Sequence, residues 1–186
     1  MNIPNSITTL RIFLIPVFIA VFYLPQPWAP ALATFIFWFA ALTDWFDGYL
    51  ARKLKQQSDL GAFIDPLADK LMVVSALLLI LTKHPENNWL LFSSLIIISR
   101  EIFISSLREW MSSMGKADVV AVSFFGKAKT VGQMFALLFL IYAQDIFGLP
   151  TFTFGIWLLV WAAFLTVVSM VIYIKSAWPT LFADNS

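Results

Sequence analysis

The sequence predicts an all-α polytopic membrane protein, a six-transmembrane-helix bundle preceded by a short interfacial segment at the N-terminus. Hydrophobic residues make up 60% of the 186 residues and charged residues only 12%, which is far from the composition of soluble domains. The apolar residues also form six runs, each close to the roughly 20 residues that cross a bilayer as a helix. A single membrane domain over residues 1–186 is the expectation for this length.

The six apolar runs are separated by short polar connectors. Residues 1–9 form the interfacial segment, in which Asn5 or Ser6 can cap the first helix. Pro25 and Pro27 end that helix, because proline lacks the N–H that a continuing helix needs. The predicted spans cover residues 7–24, 29–49, 66–82, 89–107, 119–142 and 152–174.

The basic residues fall almost entirely on one side of the predicted bundle. With a cytoplasmic N-terminus, nine lie on the inner side, and Lys83 alone lies on the outer side. The nine are Arg11, Arg52, Lys53, Lys55, Arg108, Lys116, Lys127, Lys129 and Lys175. The positive-inside rule therefore predicts both termini in the cytoplasm. A net charge of +1 without a basic run predicts no nucleic-acid partner.

Four aspartates stand where the second and third apolar segments meet. A carboxylate at the centre of a spanning helix costs roughly 2.5–3.5 kcal/mol, so all four need compensation. Asp44 and Asp47 are three residues apart and Asp65 and Asp69 are four apart, so each pair shares a helix face. A polar connector over 53–60 lets the two helices run antiparallel and aim the carboxylate pairs at each other.

Four facing carboxylates suit two divalent cations, Mg²⁺ or Mn²⁺, which prefer hard oxygen ligands. Two such ions neutralise the four charges and can clamp both oxygens of a displacement at phosphorus. Gly48 and Gly61 remove side chains beside the site, so a substrate can approach the backbone closely. The alternative is that the aspartates are solvated helix-end carboxylates, or that they pair with nearby basic residues: Arg52, Lys53, Lys55 and Lys70.

Basic residues inside apolar segments indicate a second anionic site. Arg100 and Arg108 are eight residues apart, a little over two turns, so their guanidinium groups share a face. Lys127 and Lys129 lie near the start of the fifth segment, where cations usually face the bundle interior. With Lys127, the two arginines form a patch suited to the phosphate of a second substrate. The alternative is ion pairing with the acidic neighbour of each arginine. Because adjacent helical residues point about 100° apart, Arg100 is not expected to pair with Glu101.

The aspartate motif is similar to the signature of a known family. The pattern Asp-x2-Asp-Gly-x2-Ala-Arg-x8-Gly-x3-Asp-x3-Asp, over residues 44–69, resembles the signature of the CDP-alcohol phosphotransferases at every fixed position. The resemblance continues at residues 2–11 and 100–110 and covers nearly the whole chain. It implies transfer of a phosphatidyl group from CDP-diacylglycerol to sn-glycerol 3-phosphate with release of CMP. It also implies a multi-pass protein of the bacterial inner (cytoplasmic) membrane whose active site faces the cytoplasm.

The resemblance also implies roles for individual residues. Two metal ions would be bound by Asp44, Asp47, Asp65 and Asp69, and Asp69 would take the hydroxyl proton of the acceptor. The CDP-diacylglycerol site would be lined by Gly48, Ala51, Arg52 and Gly61. The charge of the basic patch, rather than the resemblance, predicts that Arg100, Arg108 and Lys127 bind the acceptor phosphate.

Three alternatives remain open from the sequence. Within the family the acceptor could differ, with inositol phosphate as one choice. Outside the family, a divalent-cation transporter also needs intramembrane aspartates, although it would need a continuous polar path that the apolar outer halves of the spans do not offer. The assembly state is open as well, with a homodimer among the choices.

The charge distribution gives a testable topology. Because the natural chain contains no cysteine, single cysteines at Asn87 and Ser186 provide unique labelling sites. We expect a membrane-impermeant thiol reagent to label them from opposite sides of the membrane. Labelling of both from the same side would exclude the six-span topology with cytoplasmic termini.

Overall fold

The computed structural model describes residues 3–54, 59–115 and 124–182. The side chains of residues 3–9, 44–54, 59–63, 65, 124–128, 177 and 179–182 lie outside that description. In these ranges the regular elements are helices, so the predicted all-α class is confirmed. They are α1 (Ile3–Phe22), α2 (Ala29–Leu54), α3 (Asp59–Lys83), α4 (Asn88–Ser113), α5 (Phe124–Tyr142) and α6 (Thr151–Phe182).

The helices extend beyond the apolar runs that predicted them. α2 continues through the polar residues up to Leu54, and α3 begins at Asp59 and contains Pro66. α3 therefore begins seven residues before the apolar run that predicted the third span. Once a helix is nucleated, each further residue adds a backbone hydrogen bond whatever its polarity, so hydropathy alone does not mark the end.

The N-terminal capping prediction is also wrong. α1 begins at Ile3, which places Asn5 and Ser6 inside the helix rather than at its cap. Over the part of the N-terminus that the structure describes, the predicted interfacial segment forms the first turns of α1.

Local chemistry defines both ends of α4. The Asn87 side-chain Oδ1 accepts a hydrogen bond from the Leu90 backbone N–H at 3.0 Å and so satisfies one of the free donors of the first turn. At the other end Gly115 has φ +69°, and its N–H donates to the Ser112 carbonyl at 3.0 Å. A glycine in this left-handed conformation is a common helix stop.

The helices group into two compact units. The first comprises the residues up to His84 together with Leu137–Phe152, and the second comprises Pro85–Ala136 together with the residues from Thr153 onward. In the first unit α1 packs against α2 and α3. The buried rings of Phe18 and Phe37 lie 6.0 Å apart, centroid to centroid, at the contact of α1 with α2.

A lysine closes the end of α1 in the first unit. Lys83 Nζ donates to the carbonyl of Phe22 at 2.9 Å and lies 4.1 Å from the centroid of the Phe22 ring. The last carbonyls of a helix have no intrahelical partner, so a cation from the end of α3 is a favourable cap for them. Beside it, the hydroxyl groups of Tyr23 and Thr82 are hydrogen-bonded at 3.1 Å.

The second unit has a small apolar core where α4 and α6 meet. Ile104, Leu107 and Met111 of α4 are buried against Tyr173 of α6. This core surrounds the aromatic ring at the centre of the basic cluster described below.

Two helices are long and apolar enough to cross a membrane, α4 and the Thr151–Ser176 part of α6. Shorter apolar stretches occupy Leu10–Phe22, Ala29–Thr43 and Lys129–Tyr142. The prediction of six spans is therefore not confirmed in the part of the chain that the structure describes. Both long helices also carry large apolar side chains that are exposed, such as Phe92, Ile102, Trp161 and Phe164.

Candidate active site

The predicted metal ligands lie at matched heights on α2 and α3. Asp44 is ten residues before the last residue of α2, and Asp69 is ten residues after the first residue of α3. Asp47 and Asp65 are seven and six residues from the same two helix ends. At about 1.5 Å per residue, one carboxylate of each helix lies roughly 15 Å from its end and the other roughly 10 Å.

α2 and α3 are neighbours, so aspartates at the same distance from the two helix ends can lie opposite each other. They contact each other, and only four residues separate them along the chain. A connection this short joins antiparallel neighbours. Of the four carboxyl side chains, the structure describes that of Asp69, which is half-buried. The facing of the two pairs therefore stays a prediction, and it now rests on observed helix ends.

The predicted donor-site residues share helix faces with the aspartates. Gly48 follows Asp44 by four residues, and Ala51 follows Asp47 by four. On α3, Gly61 precedes Asp65 by four residues. Residues four apart lie one turn apart on the same face, so each face combines carboxylates with small side chains. Arg52 continues the same row, four residues after Gly48.

This arrangement fits two divalent cations. Mg²⁺ and Mn²⁺ take hard oxygen ligands, and the four predicted aspartate ligands are hard donors of this kind. The described side chains alone contain no cluster of three acidic, histidine or cysteine ligands, and three of the four aspartate side chains lie outside that set. The donor-site roles of Gly48, Ala51 and Gly61 stay predictions, because the surroundings of these residues lie outside the described set.

The second unit contains a basic cluster built on one tyrosine. The guanidinium carbons of Arg100 and Arg108 lie 5.6 and 5.5 Å from the ring centroid of Tyr173. Arg108 Nη2 also donates to the Tyr173 hydroxyl at 3.1 Å. The prediction that the two arginines share a helix face is confirmed. Cation–π attraction and the hydroxyl acceptor partly offset the cost of two like charges at one ring.

The expectation that Arg100 cannot pair with Glu101 is wrong. Arg100 Nη1 lies 3.0 Å from Glu101 Oε1, and Lys129 Nζ of α5 lies 2.6 Å from the same oxygen. The angle of about 100° separates Cβ directions, but long side chains can bend back over their helix and bring their ends together. Lys129 supplies a second cation at the oxygen that Arg100 contacts.

Lys129, rather than the predicted Lys127, is the lysine of α5 that the structure places in the basic cluster. The predicted ligand Lys127 is in α5, but its side chain lies outside the described set. Lys129, two residues later, is 3% exposed and belongs to the cluster. The sequence signal for Lys129 is its position beside Lys127 in an apolar segment.

Arg11 is a second basic residue whose burial was not predicted from the sequence. Its position predicted a topological role, yet it is 1% exposed and lies on α1, which packs against both aspartate helices. A buried ionisable residue in an apolar helix is a functional candidate by default. Arg11 and Lys129 are both deeply buried, so they are weaker support for the predicted topology than basic residues at exposed helix ends.

The basic cluster keeps a surplus of positive charge. Among the described members, Arg100, Arg108 and Lys129 face one carboxylate, Glu101. Arg100 and Lys129 are both more than nine-tenths buried, where uncompensated charge is costly. Guanidinium groups bind phosphate through two parallel hydrogen bonds, so a phosphate dianion is a fitting ligand.

Comparison with known proteins identifies the class of this chain. Residues 1–168 match the family model of CDP-alcohol phosphatidyltransferases, a range that includes the four aspartates and the basic residues Arg100, Arg108 and Lys129. The chain belongs to this family, as its motif predicts.

Individual relatives agree across their whole length. A Pseudomonas fluorescens protein named CDP-diacylglycerol–glycerol-3-phosphate 3-phosphatidyltransferase is 47% identical over all of this chain and 94% of its own. A protein of the same name from Yersinia pestis (strain Pestoides F) is 48% identical over 97% of each chain. The namesake from Salmonella paratyphi A is 47% identical over 95% of this chain and 94% of its own.

Replacing Asp47 with asparagine should abolish turnover, because the amide keeps one oxygen but loses the charge that balances a metal ion. The variant should still insert and fold, since removal of a carboxylate lowers the cost of insertion. Turnover of CDP-diacylglycerol across a Mg²⁺ titration measures the effect. Asp145→Asn, at an exposed position after α5, is the matched control. Near wild-type activity of Asp47→Asn at ordinary Mg²⁺ concentrations would exclude the two-metal site.

Proposed function

We propose that the protein transfers the phosphatidyl group of CDP-diacylglycerol to sn-glycerol 3-phosphate, giving phosphatidylglycerol phosphate and CMP. The observation that carries the proposal is the complete aspartate motif, set at matched heights on two contacting helices. The names of the full-length relatives support the choice of substrates.

The proposed reaction is one displacement at phosphorus. A free hydroxyl group of glycerol 3-phosphate attacks the β-phosphorus of CDP-diacylglycerol. A new P–O bond forms, and the bond from that phosphorus to the bridging oxygen breaks, so that the oxygen leaves with CMP. Asp69 takes the proton of the attacking hydroxyl, and Arg52 holds the diphosphate of the donor. Two divalent ions, when bound by the four aspartates, supply charge neutralisation at the attacking and leaving oxygens. Gly48, Ala51 and Gly61 leave space for the cytidine diphosphate.

The basic cluster is the proposed site for the acceptor phosphate. Arg100 and Arg108, held at the ring of Tyr173, offer planar two-pronged donors, and Lys127 is the proposed third cation. A phosphorylated acceptor matches this surplus of positive charge, whereas a neutral alcohol would leave it unbalanced.

We further propose that the chain forms one membrane domain with six spans and both termini in the cytoplasm. The two long apolar helices support this, as do the apolar side chains exposed along them, which lipid would cover. The donor site then faces the cytoplasmic side of the bacterial inner membrane, where nucleotide-linked substrates and Mg²⁺ are available. The transporter alternative has no further observation in its favour.

An acceptor panel tests the proposed reaction. Purified protein in mixed micelles receives CDP-diacylglycerol and Mg²⁺ with glycerol 3-phosphate, inositol phosphate or serine in turn. We expect CMP release with glycerol 3-phosphate and loss of release after chelation of the metal. Preference for inositol phosphate would keep the family chemistry but reassign the acceptor, and no release with any acceptor would refute the proposal.

The split into donor and acceptor sites predicts a selective kinetic defect for Arg108→Lys. The substitution keeps the charge but loses the planar fork, and a lost hydrogen bond to a charged group costs about 1.5–3 kcal/mol. The KM for glycerol 3-phosphate should rise roughly ten- to hundredfold, with little change in that for CDP-diacylglycerol. Lys175→Arg, at an exposed position of α6, controls for an exchange of lysine and arginine outside the cluster. A rise in the KM for CDP-diacylglycerol instead would remove Arg108 from the acceptor site.

A further inference from the structure

Glu101 is the carboxylate at which the buried cations of the basic cluster meet. Its Oε1 accepts from Arg100 Nη1 at 3.0 Å and from Lys129 Nζ at 2.6 Å. The Glu101 side chain is 22% exposed, whereas those of Arg100 and Lys129 are 8% and 4% exposed. One partly open carboxylate thus joins a cation of α4 to a cation of α5.

Arg100 is anchored on more than one side. Its Nη2 donates to the Ser169 hydroxyl of α6 at 3.4 Å, and its guanidinium lies 5.6 Å from the ring centroid of Tyr173. With Glu101 on Nη1, these contacts define both the position and the plane of the guanidinium group. An ordered side chain has little rotamer freedom left to lose when it binds a ligand.

The anchoring leaves donors available. A guanidinium carries five N–H donors, and Glu101 and Ser169 engage one nitrogen each. The Nε–H is buried and has no hydrogen-bond acceptor among the residues that the structure describes. Pairing with Glu101 and binding of a phosphate are therefore compatible. The ion pair and the anion site are not exclusive alternatives at Arg100.

The position of Arg100 and Glu101 inside α4 indicates a functional role for this ion pair. Arg100 is twelve residues after the first residue of α4, roughly 18 Å along the helix axis. A cavity of about 440 Å³ opens at Arg100 and Ser99, and its other lining residues are apolar: Leu95, Ile96, Phe103, Val167 and Met170. In such surroundings a flexible arginine would turn toward water or another acceptor.

We infer that Glu101 is a positioning residue for the acceptor: it fixes the guanidinium of Arg100 so that its remaining donors meet the phosphate of glycerol 3-phosphate. The inference rests on the proposed function and names a residue that the motif does not include. Its rival is a purely structural role, in which Glu101 only compensates the buried charge of Lys129.

To separate the two roles, Glu101→Gln is introduced into the wild type and into Lys129→Met, which lacks the charge that a structural Glu101 would compensate. Steady-state kinetics are measured with each substrate varied in turn, together with the melting temperature in detergent. Glu109→Gln, at an exposed position of the same helix, is the matched control. Glu101→Asp keeps the charge on a shorter side chain, so it gives a folded variant for the same kinetics if the glutamine substitution prevents folding.

We expect Glu101→Gln to raise the KM for glycerol 3-phosphate about tenfold in both backgrounds, equivalent to about 1.4 kcal/mol, with the KM for CDP-diacylglycerol unchanged. Glu101→Asp should raise the same KM by less while keeping the melting temperature, and Glu109→Gln should change neither.

Two results would overturn the inference while the proposed function stands. One is a KM effect that disappears in the Lys129→Met background, and the other is a lower melting temperature or kcat with both KM values unchanged. Absence of turnover by the wild type with glycerol 3-phosphate would refute the proposed function, and the inference would fall with it.

Discussion

The cost of placing charge among apolar helices is the constraint on which this structure depends. An ionised group loses its hydration when it is buried, and only a close partner of opposite charge, a set of hydrogen bonds or a metal ion can repay the loss. The chain carries few charged residues for its length, and a large share of them fall in two groups. One is acidic and lies on α2 and α3, and the other is largely basic and centres on α4.

The observed partners of the basic residues differ with burial. Lys83 lies at an exposed helix end, and a backbone carbonyl and the ring of Phe22 are its partners. Arg108 is also exposed and bonds the neutral hydroxyl of Tyr173. The deeply buried pair, Arg100 and Lys129, instead shares a full carboxylate. Neutral partners suffice where water still contributes, whereas a deep site requires an opposite charge.

The fold class and the helix order could be predicted because apolar runs of spanning length leave few alternatives. Family membership was predictable as well, since the 44–69 motif fixes eight residues at exact spacing. Helix ends were less predictable, because backbone hydrogen bonding continues through polar residues such as those between Asp44 and Leu54.

Side-chain pairing was the least predictable feature. Whether Arg100 reaches Glu101 depends on rotamers and on Lys129, which is 28 residues away in the sequence. Periodicity describes Cβ directions and gives no information about how the ends of long side chains bend. The burial of Arg11 was missed for a related reason, since charge counting does not distinguish a connector residue from one enclosed by helices.

The matched heights of the aspartates have a consequence for how such a protein can vary. Each carboxylate pair is fixed by its own helix, so its orientation depends on the helical phase and not on the chain between the helices. A single-residue insertion inside α2 or α3 on the connector side would rotate one pair by about 100° relative to its helix end. Changes in the length of the 55–58 segment would leave that phase untouched. Sequence drift is therefore tolerable in the segment that joins the helices, while the residue count within each helix is under strict geometric control.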